Sequence, residues 1–247
     1  MLRSAVARVS DGDSMIDLTS EMAALWAALG PGSARRGRVI QFVSAAGGEG
    51  ASTVAREFAR LAAVRARKPV WLIDGDLLQP SQLDAAAAEP ERFGWLGNPA
   101  AASPDGSAFF SVHPPVKAKD GRSVAPARLL SARPALGGRL WITRFRAEAL
   151  RTGQKVEPSP DPAYWEAMRR HAETVVVDAP AADRNDLAVT LAPLVDLTVL
   201  VVAAETTPAG QAAALRDLIE SAGGQIAGVV LNRSTYRPPG PLRRLSR

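Results

Sequence analysis

The sequence predicts an α/β fold, a three-layer sandwich in which a mostly parallel central sheet carries helices on both faces. Short apolar runs rich in valine, isoleucine and leucine alternate with amphipathic helical segments along much of the 247 residues. The first run leads through a glycine-rich turn straight into a helix, and two later runs end in aspartates. Helices between buried strands are typical of right-handed parallel βαβ units, which place the carboxyl ends of the strands at one edge.

Composition narrows the function classes. Apolar residues make up 47% of the chain, enough for one substantial core. Cysteine is absent, which excludes disulfides and thiolate metal sites. The 30 basic and 25 acidic residues are spread along the chain and give +5, which favours a solvated surface, so no nucleic-acid partner is expected. No apolar run approaches the ~18 residues of a membrane span, and a cytoplasmic protein is expected.

The chain is predicted to have three parts. Residues 1–34 form an N-terminal arm and a helix over 14–29, and residues 35–233 form the main domain. Within that domain, residues 90–162 hold 10 of the 19 prolines and are predicted to be an insertion on the main sheet. Its short strands, at 109–113 and 140–145, are expected to form a hairpin-like pair. Residues 234–247 carry four arginines and three prolines and are predicted to be a basic disordered tail.

The glycine-rich turn at 46–50 predicts a phosphate site. It follows an apolar strand and precedes a helix that begins near Ser52. In such a unit the N–H groups of the turn and of the helix N-terminus form a concave positive site for phosphate. A P-loop of the form G-x-x-x-x-G-K-[ST] also needs a lysine on the β- and γ-phosphates. Ala51 stands at that position.

Further strands follow in the same rhythm. The strand at 69–76 delivers Asp74 and Asp76 at its C-terminal end, and the strand at 174–177 is followed by Asp178. These carboxylates are expected at the edge where open α/β sheets bind ligands. Helices are predicted near 163–173, 186–191 and 208–222, with strands at 196–202 and 226–231. His113 and His171 are isolated, which excludes a histidine metal site.

The order of the glycine-rich loop, LIDGD, VVVDAP, DLTVLVV and GVVLNR resembles the deviant P-loop ATPases of the MinD, ParA and Mrp group. It is more similar to the bacterial tyrosine kinases (BY-kinases), which work with membrane polysaccharide co-polymerases in capsule and exopolysaccharide export. The resemblance covers residues 21–233 and implies a P-loop NTPase fold. It also implies binding of ATP or ADP with Mg²⁺.

The resemblance implies a role for each matched residue. Ser52, Asp74 and Asp178 would hold Mg²⁺, and Asp74 and Asp76 would be the catalytic carboxylates of an active enzyme. Asn232 occupies the position that contacts adenine in related ATPases. The nucleotide-binding residues implied are Gly47, Gly48, Glu49, Gly50, Ala51, Ser52, Thr53 and Asn232.

Several departures predict a degenerate enzyme. Ala51 and Ala46 replace both phosphate-facing lysines of the group, and Leu77 replaces the basic residue after the second aspartate. Arg56 is a conceivable substitute cation, but a helix-face arginine is expected to be solvated. The family's C-terminal tyrosine cluster is missing, since only Tyr164 and Tyr236 occur. The ring-forming E-x-x-R-x-x-R pattern becomes Glu21, Ala24 and Ala27, so a homo-oligomeric ring would lack its arginine contacts.

These features predict an inactive or very weak BY-kinase-like protein. It is expected to be the cytoplasmic partner of a polysaccharide co-polymerase at the inner membrane, supporting synthesis and export of an exopolysaccharide, capsule or holdfast. Two alternatives remain. One is an active ATPase or tyrosine autokinase whose phosphate charge comes from another residue or subunit. The other is a ParA- or MinD-like positioning ATPase.

Overall fold

The computed structural model describes residues 18–30 and 36–233. The predicted arm and tail, and residues 14–17 of the predicted first helix, lie outside this part. Its helices are α1 (Thr19–Leu29), α2 (Ala51–Arg65), α3 (Gln82–Ala87), α4 (Pro90–Phe93), α5 (Ala163–His171), α6 (Leu187–Leu191) and α7 (Ala209–Ser221). Its strands are β1 (Arg38–Ser44), β2 (Val70–Asp74), β3 (Ala100–Ala101), β4 (Phe110–His113), β5 (Leu130–Ala135), β6 (Leu140–Phe145), β7 (Lys155–Pro158), β8 (Thr174–Asp178), β9 (Leu197–Ala203) and β10 (Ile226–Asn232).

Eight strands form one sheet in the order β10-β9-β1-β8-β2-β6-β5-β3. The strands from β10 to β6 run parallel, whereas β5 is antiparallel to both β6 and β3. All residues of β1, β2 and β8 are buried, as expected for parallel strands covered on both faces. The predicted three-layer α/β arrangement is confirmed.

Successive residues of β1 point to opposite layers. Ile40 and Phe42 pack in the cluster that includes α1 and α2, while Val39 and Val43 pack in the clusters that include α5, α6 and α7. No helix in residues 18–30 or 36–233 is long and apolar enough to cross a membrane.

Helix α1 buries its apolar face within the same chain. Met22 and Leu25 are 0% and 5% exposed, and the Trp26 ring lies 5.7 Å from that of Phe58 on α2. The Arg38 guanidinium carbon lies 4.9 Å from the centre of the Trp26 ring. Met22 and Trp26 therefore pack against the chain's own domain.

The expected pairing within residues 90–162 is wrong. Strand β4 pairs with β7 in a separate two-stranded antiparallel sheet, and β6 joins the main sheet between β2 and β5. The sequence obscured β5 because it contains Pro134, and proline within an apolar run argues against a strand. Strand β5 lies near the edge of the sheet, where one missing N–H is tolerated.

Candidate functional site

An open pocket of about 450 Å³ lies at the carboxyl ends of β1 and β8. Six of the predicted nucleotide-binding residues line it, together with Asp76 and Asp178. Glu49, Asp74 and Asn232 are not among its lining residues. The lining residues are Ser44, Gly47, Gly48, Gly50, Ala51, Ser52, Thr53, Asp76, Gln79, Ser81, Asp178, Ala179, Pro180, Ala181, Arg184 and Arg233.

The glycine-rich turn has a conformation that requires glycine at two positions. Gly48 and Gly50 have φ of 82° and 92°, in the left-handed region that residues with a Cβ rarely adopt. Gly50 also meets Asn232 closely, because a Cβ placed on it would lie 2.1 Å from Asn232 Nδ2. Helix α2 begins at the next residue, so its free N–H groups open towards the pocket that Ser52 and Thr53 line.

Glu49 and Asn232 do not line the pocket but hold the turn through hydrogen bonds. Glu49 is 4% exposed, and its Oε2 accepts a hydrogen bond from the Ala45 N–H at 3.1 Å. Its Oε1 accepts a short hydrogen bond from the Thr207 hydroxyl. Asn232 Nδ2 donates to the Glu49 carbonyl at 2.8 Å, and its Oδ1 accepts the Arg233 N–H at 3.0 Å. The Asn232 amide therefore bonds to protein backbone at both ends.

Asp74 is anchored on main-chain N–H groups. Its Oδ2 accepts from Ser81 and Gln82 at 2.7 and 2.8 Å, and its Oδ1 accepts from Asp76 at 3.1 Å. Burial, with the nearby charge of Asp178, raises the pKa of Asp74 to about 7. The carboxylate thus fixes the start of α3 at the end of β2.

Asp178 has one satisfied and one unsatisfied oxygen. Its Oδ2 accepts a hydrogen bond from Gln82 Nε2 at 2.5 Å, whereas its Oδ1 is buried and has no partner among the described residues. Burial raises the pKa of Asp178 to about 6, and the Gln82 amide opposes that rise. An unsatisfied buried oxygen beside the pocket fits a Mg²⁺ ion with its waters, since Mg²⁺ uses few protein ligands and keeps several waters.

No group of three or more acidic or histidine side chains in the described residues is placed to hold a metal alone. A Mg²⁺ site here would therefore rely on Ser52, Asp178, water and the oxygens of a bound phosphate. Asp74, which the sequence also assigned to the metal, has both oxygens engaged by N–H groups.

Gln82 is a central residue that the sequence did not reveal. Besides Asp178, its Nε2 contacts the Ser52 carbonyl at 2.9 Å, and its Oε1 accepts from Arg56 Nη1 at 3.3 Å. Arg56 is half-buried, its Nε has no partner among the described residues, and it is not a lining residue of the pocket. Arg56 was expected to be solvated, and the structure has it partly buried, with Gln82 as a hydrogen-bond partner.

Arg184 and Asp183 were also missed by sequence reasoning. Arg184 Nη2 donates to Asp76 Oδ2 at 2.8 Å and to Gln79 Oε1 at 3.3 Å. Asp183 Oδ2 accepts the Gly47 N–H at 3.2 Å. Both residues follow Asp178 by a few positions, and that spacing was the available signal. The segment after β8 thus brings one cation and one anion to the glycine-rich turn.

No family model and no curated protein matches this chain. Solved structures do match. The kinase domain of the Escherichia coli tyrosine kinase ETK is 16% identical, with a TM-score of 0.55, over 91% of this chain and 81% of that domain. The chimeric protein CapA2B2 is 18% identical, with a TM-score of 0.54, over 95% of this chain and 96% of the chimera. The chain has the fold of a BY-kinase domain.

The wider P-loop group is matched as well. The septum site-determining protein MinD of Pyrococcus horikoshii, in complex with Mg-ADP, is 17% identical, with a TM-score of 0.52, over 84% of this chain and 76% of MinD. The predicted P-loop NTPase fold is confirmed. At such identities the BY-kinase and MinD likeness concerns the fold, and the function of this chain has to be argued from its own site.

Proposed function

We propose that this chain is a BY-kinase-like protein that binds ADP or ATP with Mg²⁺ weakly and transfers phosphate slowly or not at all. It acts as the cytoplasmic partner of an inner-membrane polysaccharide co-polymerase in exopolysaccharide, capsule or holdfast export. The observation that carries the proposal is a formed phosphate turn in which Ala51 replaces the lysine.

Nucleotide binding is supported by the groups that remain. The left-handed glycines shape the turn, and the N-terminus of α2 opens on the pocket. Ser52 and the unsatisfied Asp178 Oδ1 suit Mg²⁺ with a phosphate. Bound Mg²⁺ would neutralise phosphate charge, while these side chains would position the ion and its waters.

Slow turnover is supported by the engagement of both catalytic candidates. Asp74 accepts three N–H groups, and Asp76 forms an ion pair with Arg184 and accepts the Gln79 N–H at 3.0 Å. Phosphoryl transfer depends mainly on neutralising charge in the transition state, and the lysine that would do so is Ala51 here. The ATPase and autokinase alternative needs a cation from elsewhere.

Autophosphorylation is further disfavoured by the tyrosines. Tyr164 is fully buried, its hydroxyl donates to the Ala102 carbonyl at 3.2 Å, and burial strongly raises its pKa. Tyr236 lies outside the described residues. Incubation with Mg·ATP followed by phosphotyrosine mapping should find no modified Tyr164, and stoichiometric modification of Tyr236 would favour the autokinase.

The binding proposal is tested by calorimetric titration with Mg·ADP and Mg·ATP, followed by a phosphate-release assay on the same preparation. We expect micromolar or weaker binding with negligible turnover, and tighter binding in Ala51→Lys, whose added cation would make a charge-assisted hydrogen bond. Submicromolar affinity with rapid phosphate release contradicts the proposal. An Ala51→Lys variant that does not bind would show that the turn does not accept phosphate.

The cellular proposal has a separate test. Deleting the co-polymerase should release the protein from the membrane and reproduce the loss of polysaccharide export caused by deleting the protein itself. Deleting residues 234–247 should weaken recruitment only partly, because four arginines near anionic lipid contribute roughly 1 kcal/mol each. Normal export in cells that lack the protein would refute this role. Membrane retention without the co-polymerase would refute that partner.

A further inference from the structure

The segment that follows β8 is fixed on the phosphate turn through its backbone. The N–H groups of Ala182 and Asp183 donate to the carbonyls of Ser44 and Ala45 at 2.9 and 3.1 Å. These two acceptors are the last residue of β1 and the residue after it. The Arg184 N–H donates to the Ala181 carbonyl at 2.9 Å and closes a turn. The backbone of Arg184 is therefore held in register with the turn at 46–50.

The side chain of Arg184 lies along that turn. A Cβ placed on Gly47 would be 3.9 Å from Arg184 Cδ, which is van der Waals contact. Gly47 and Arg184 both line the pocket, as do Asp76 and Gln79, which accept from the guanidinium. The aliphatic part of the Arg184 side chain therefore lies against the turn, and the guanidinium group lies in the pocket.

The Arg184 guanidinium has N–H groups that no protein group accepts within the described residues. Nη2 makes both the Asp76 and the Gln79 contacts, while Nη1 and Nε have no hydrogen-bond partner within residues 18–30 and 36–233. The side chain is 49% exposed, so a ligand can reach it. Guanidinium presents five N–H donors in a planar fork that matches phosphate oxygens.

Among the lining residues that the structure describes, the other cation is Arg233, the last described residue. Arg184 is held from both sides, because the Asp183 N–H donates to the Ala45 carbonyl and the Asn185 N–H to the Ala181 carbonyl. Asp183 on one side accepts the Gly47 N–H, and Asn185 on the other caps α6 by accepting the Leu187 N–H at 2.6 Å.

We propose that Arg184 supplies, within the same chain, the phosphate-facing positive charge that Ala51 lacks. Without nucleotide, Asp76 and Gln79 hold the guanidinium at the pocket wall. With nucleotide, a free N–H of Nη1 or Nε donates to a phosphate oxygen, while Nη2 stays on Asp76 and keeps the arginine oriented. The inference rests on the proposed nucleotide site and names the residue that would contribute to nucleotide binding there, not to phosphate transfer.

The first experiment compares Mg·ADP affinities of the wild type, Arg184→Ala and Arg184→Lys by calorimetry. Charge-assisted hydrogen bonds are worth enough for Arg184→Ala to lose about tenfold or more in affinity. Arg184→Lys should retain part of it, since it keeps the charge and loses the fork. The matched control is Arg36→Ala, which removes a 53% exposed arginine paired with Glu166 at 2.7 Å, ahead of β1. It should bind as the wild type does.

A second comparison separates direct contact from neutralisation of Asp76. If Arg184 only cancels the Asp76 charge, Asp76→Asn should restore wild-type affinity in the Arg184→Ala background. Direct contact predicts that the double variant stays weak and that Asp76→Asn alone binds at least as tightly as the wild type. Full restoration in the double variant overturns the proposal.

The Ala51→Lys variant distinguishes this inference from the proposed nucleotide site. If Ala51→Lys binds Mg·ADP with and without Arg184, and Arg184→Ala otherwise binds like the wild type, the site stands and the role of Arg184 is refuted. If neither the wild type nor Ala51→Lys binds, both proposals fail. Weak Arg184→Ala binding that Ala51→Lys restores supports both.

Discussion

Asp74 and Asp178 stand directly opposite each other at the carboxyl ends of β2 and β8, but their carboxylates have opposite surroundings. Asp74 accepts three main-chain N–H groups, whereas Asp178 keeps a buried oxygen without a partner among the described residues. Asp74 therefore organises the loop that leads to α3, and Asp178 has an acceptor oxygen that is left to bind a ligand or a metal ion. A buried unsatisfied polar atom has a cost, which makes Asp178 the better place for a test.

We expect Asp178→Asn to stabilise the free protein by about 1–3 kcal/mol at pH 8, since it removes a buried charge while Gln82 can still donate to the amide oxygen. Denaturant unfolding measures the change. Mg·ADP should raise the unfolding temperature of the wild type and not that of the variant. Equal stabilisation of both by Mg·ADP would contradict the assignment of Asp178 to the metal.

The same substitution should change the pH dependence of stability. Burial raises the pKa of Asp178 from 3.8 to about 6, so the folded state binds this proton more tightly than the unfolded state. The contribution of Asp178 to wild-type stability then falls as pH rises from about 4 to 6 and is constant above. The advantage of Asp178→Asn should accordingly grow across that window and level off. A constant difference between pH 4 and 8 would refute the raised pKa.

The bond between Asn232 and the Glu49 carbonyl predicts a stability effect. Asn232→Ala should cost about 1–2 kcal/mol, because it leaves a buried carbonyl without its donor. Asn232→Asp has nearly the same shape but turns an oxygen towards Glu49, so it should cost more at pH 8 than alanine does. If aspartate is tolerated better than alanine in denaturant unfolding, side-chain volume rather than the hydrogen bond is what matters here.

The Asp183 carboxylate accepts the Gly47 N–H of the turn, and its negative charge would repel a phosphate bound there. Asp183→Ala should therefore tighten Mg·ADP binding several-fold, with a smaller gain at high salt. Asp186→Ala is the control, because it removes the same charge from an exposed position in the same segment without contacting Gly47. Equal gains in the two variants would indicate a general charge effect instead of release of the Gly47 N–H.

Helix α1 should contribute strongly to stability. Met22 is fully buried, so Met22→Ala is expected to cost about 2–4 kcal/mol in denaturant unfolding. Trp95→Ala removes a larger side chain that is 88% exposed and should change stability by less than about 0.5 kcal/mol. A cost for Met22→Ala as small as that for Trp95→Ala would show that α1 is only loosely attached.

Much of the main sheet could be predicted because its strands are short, apolar and separated by amphipathic helices. Strands β1, β2, β8, β9 and β10 lie within a residue or two of their predicted positions. The pairing of β4 and β7 could not be predicted from the local sequence pattern, because residues 114–154 lie between the two strands. The register of strands that are so far apart in the chain is set by tertiary packing. The same holds for β6 as a neighbour of β2.

The residues of the candidate site that belong to a sequence motif could be predicted, and those that lie outside the motifs could not. The turn, Ser52 and Asp178 line the pocket as their spacing implied. Gln82 carries no sequence signal of its own, and the one signal for Asp183 and Arg184 is their position a few residues after Asp178, because all three roles depend on loops that fold back after the strands end. Asn232 was read as an adenine contact, which stays a prediction, and sequence reasoning did not reveal that its amide bonds to the turn.

The hydrogen bonds that Glu49, Thr207 and Asn232 make around the turn have a structural consequence. Asn232 lies at the end of β10 and Thr207 in the segment after β9, Glu49 belongs to the turn itself, and none of their hydrogen bonds involves a ligand. Because these hydrogen bonds do not depend on a ligand, we expect the turn to keep its shape when the pocket is empty. A partner that binds beside the turn would then meet the same surface at high and at low nucleotide concentration.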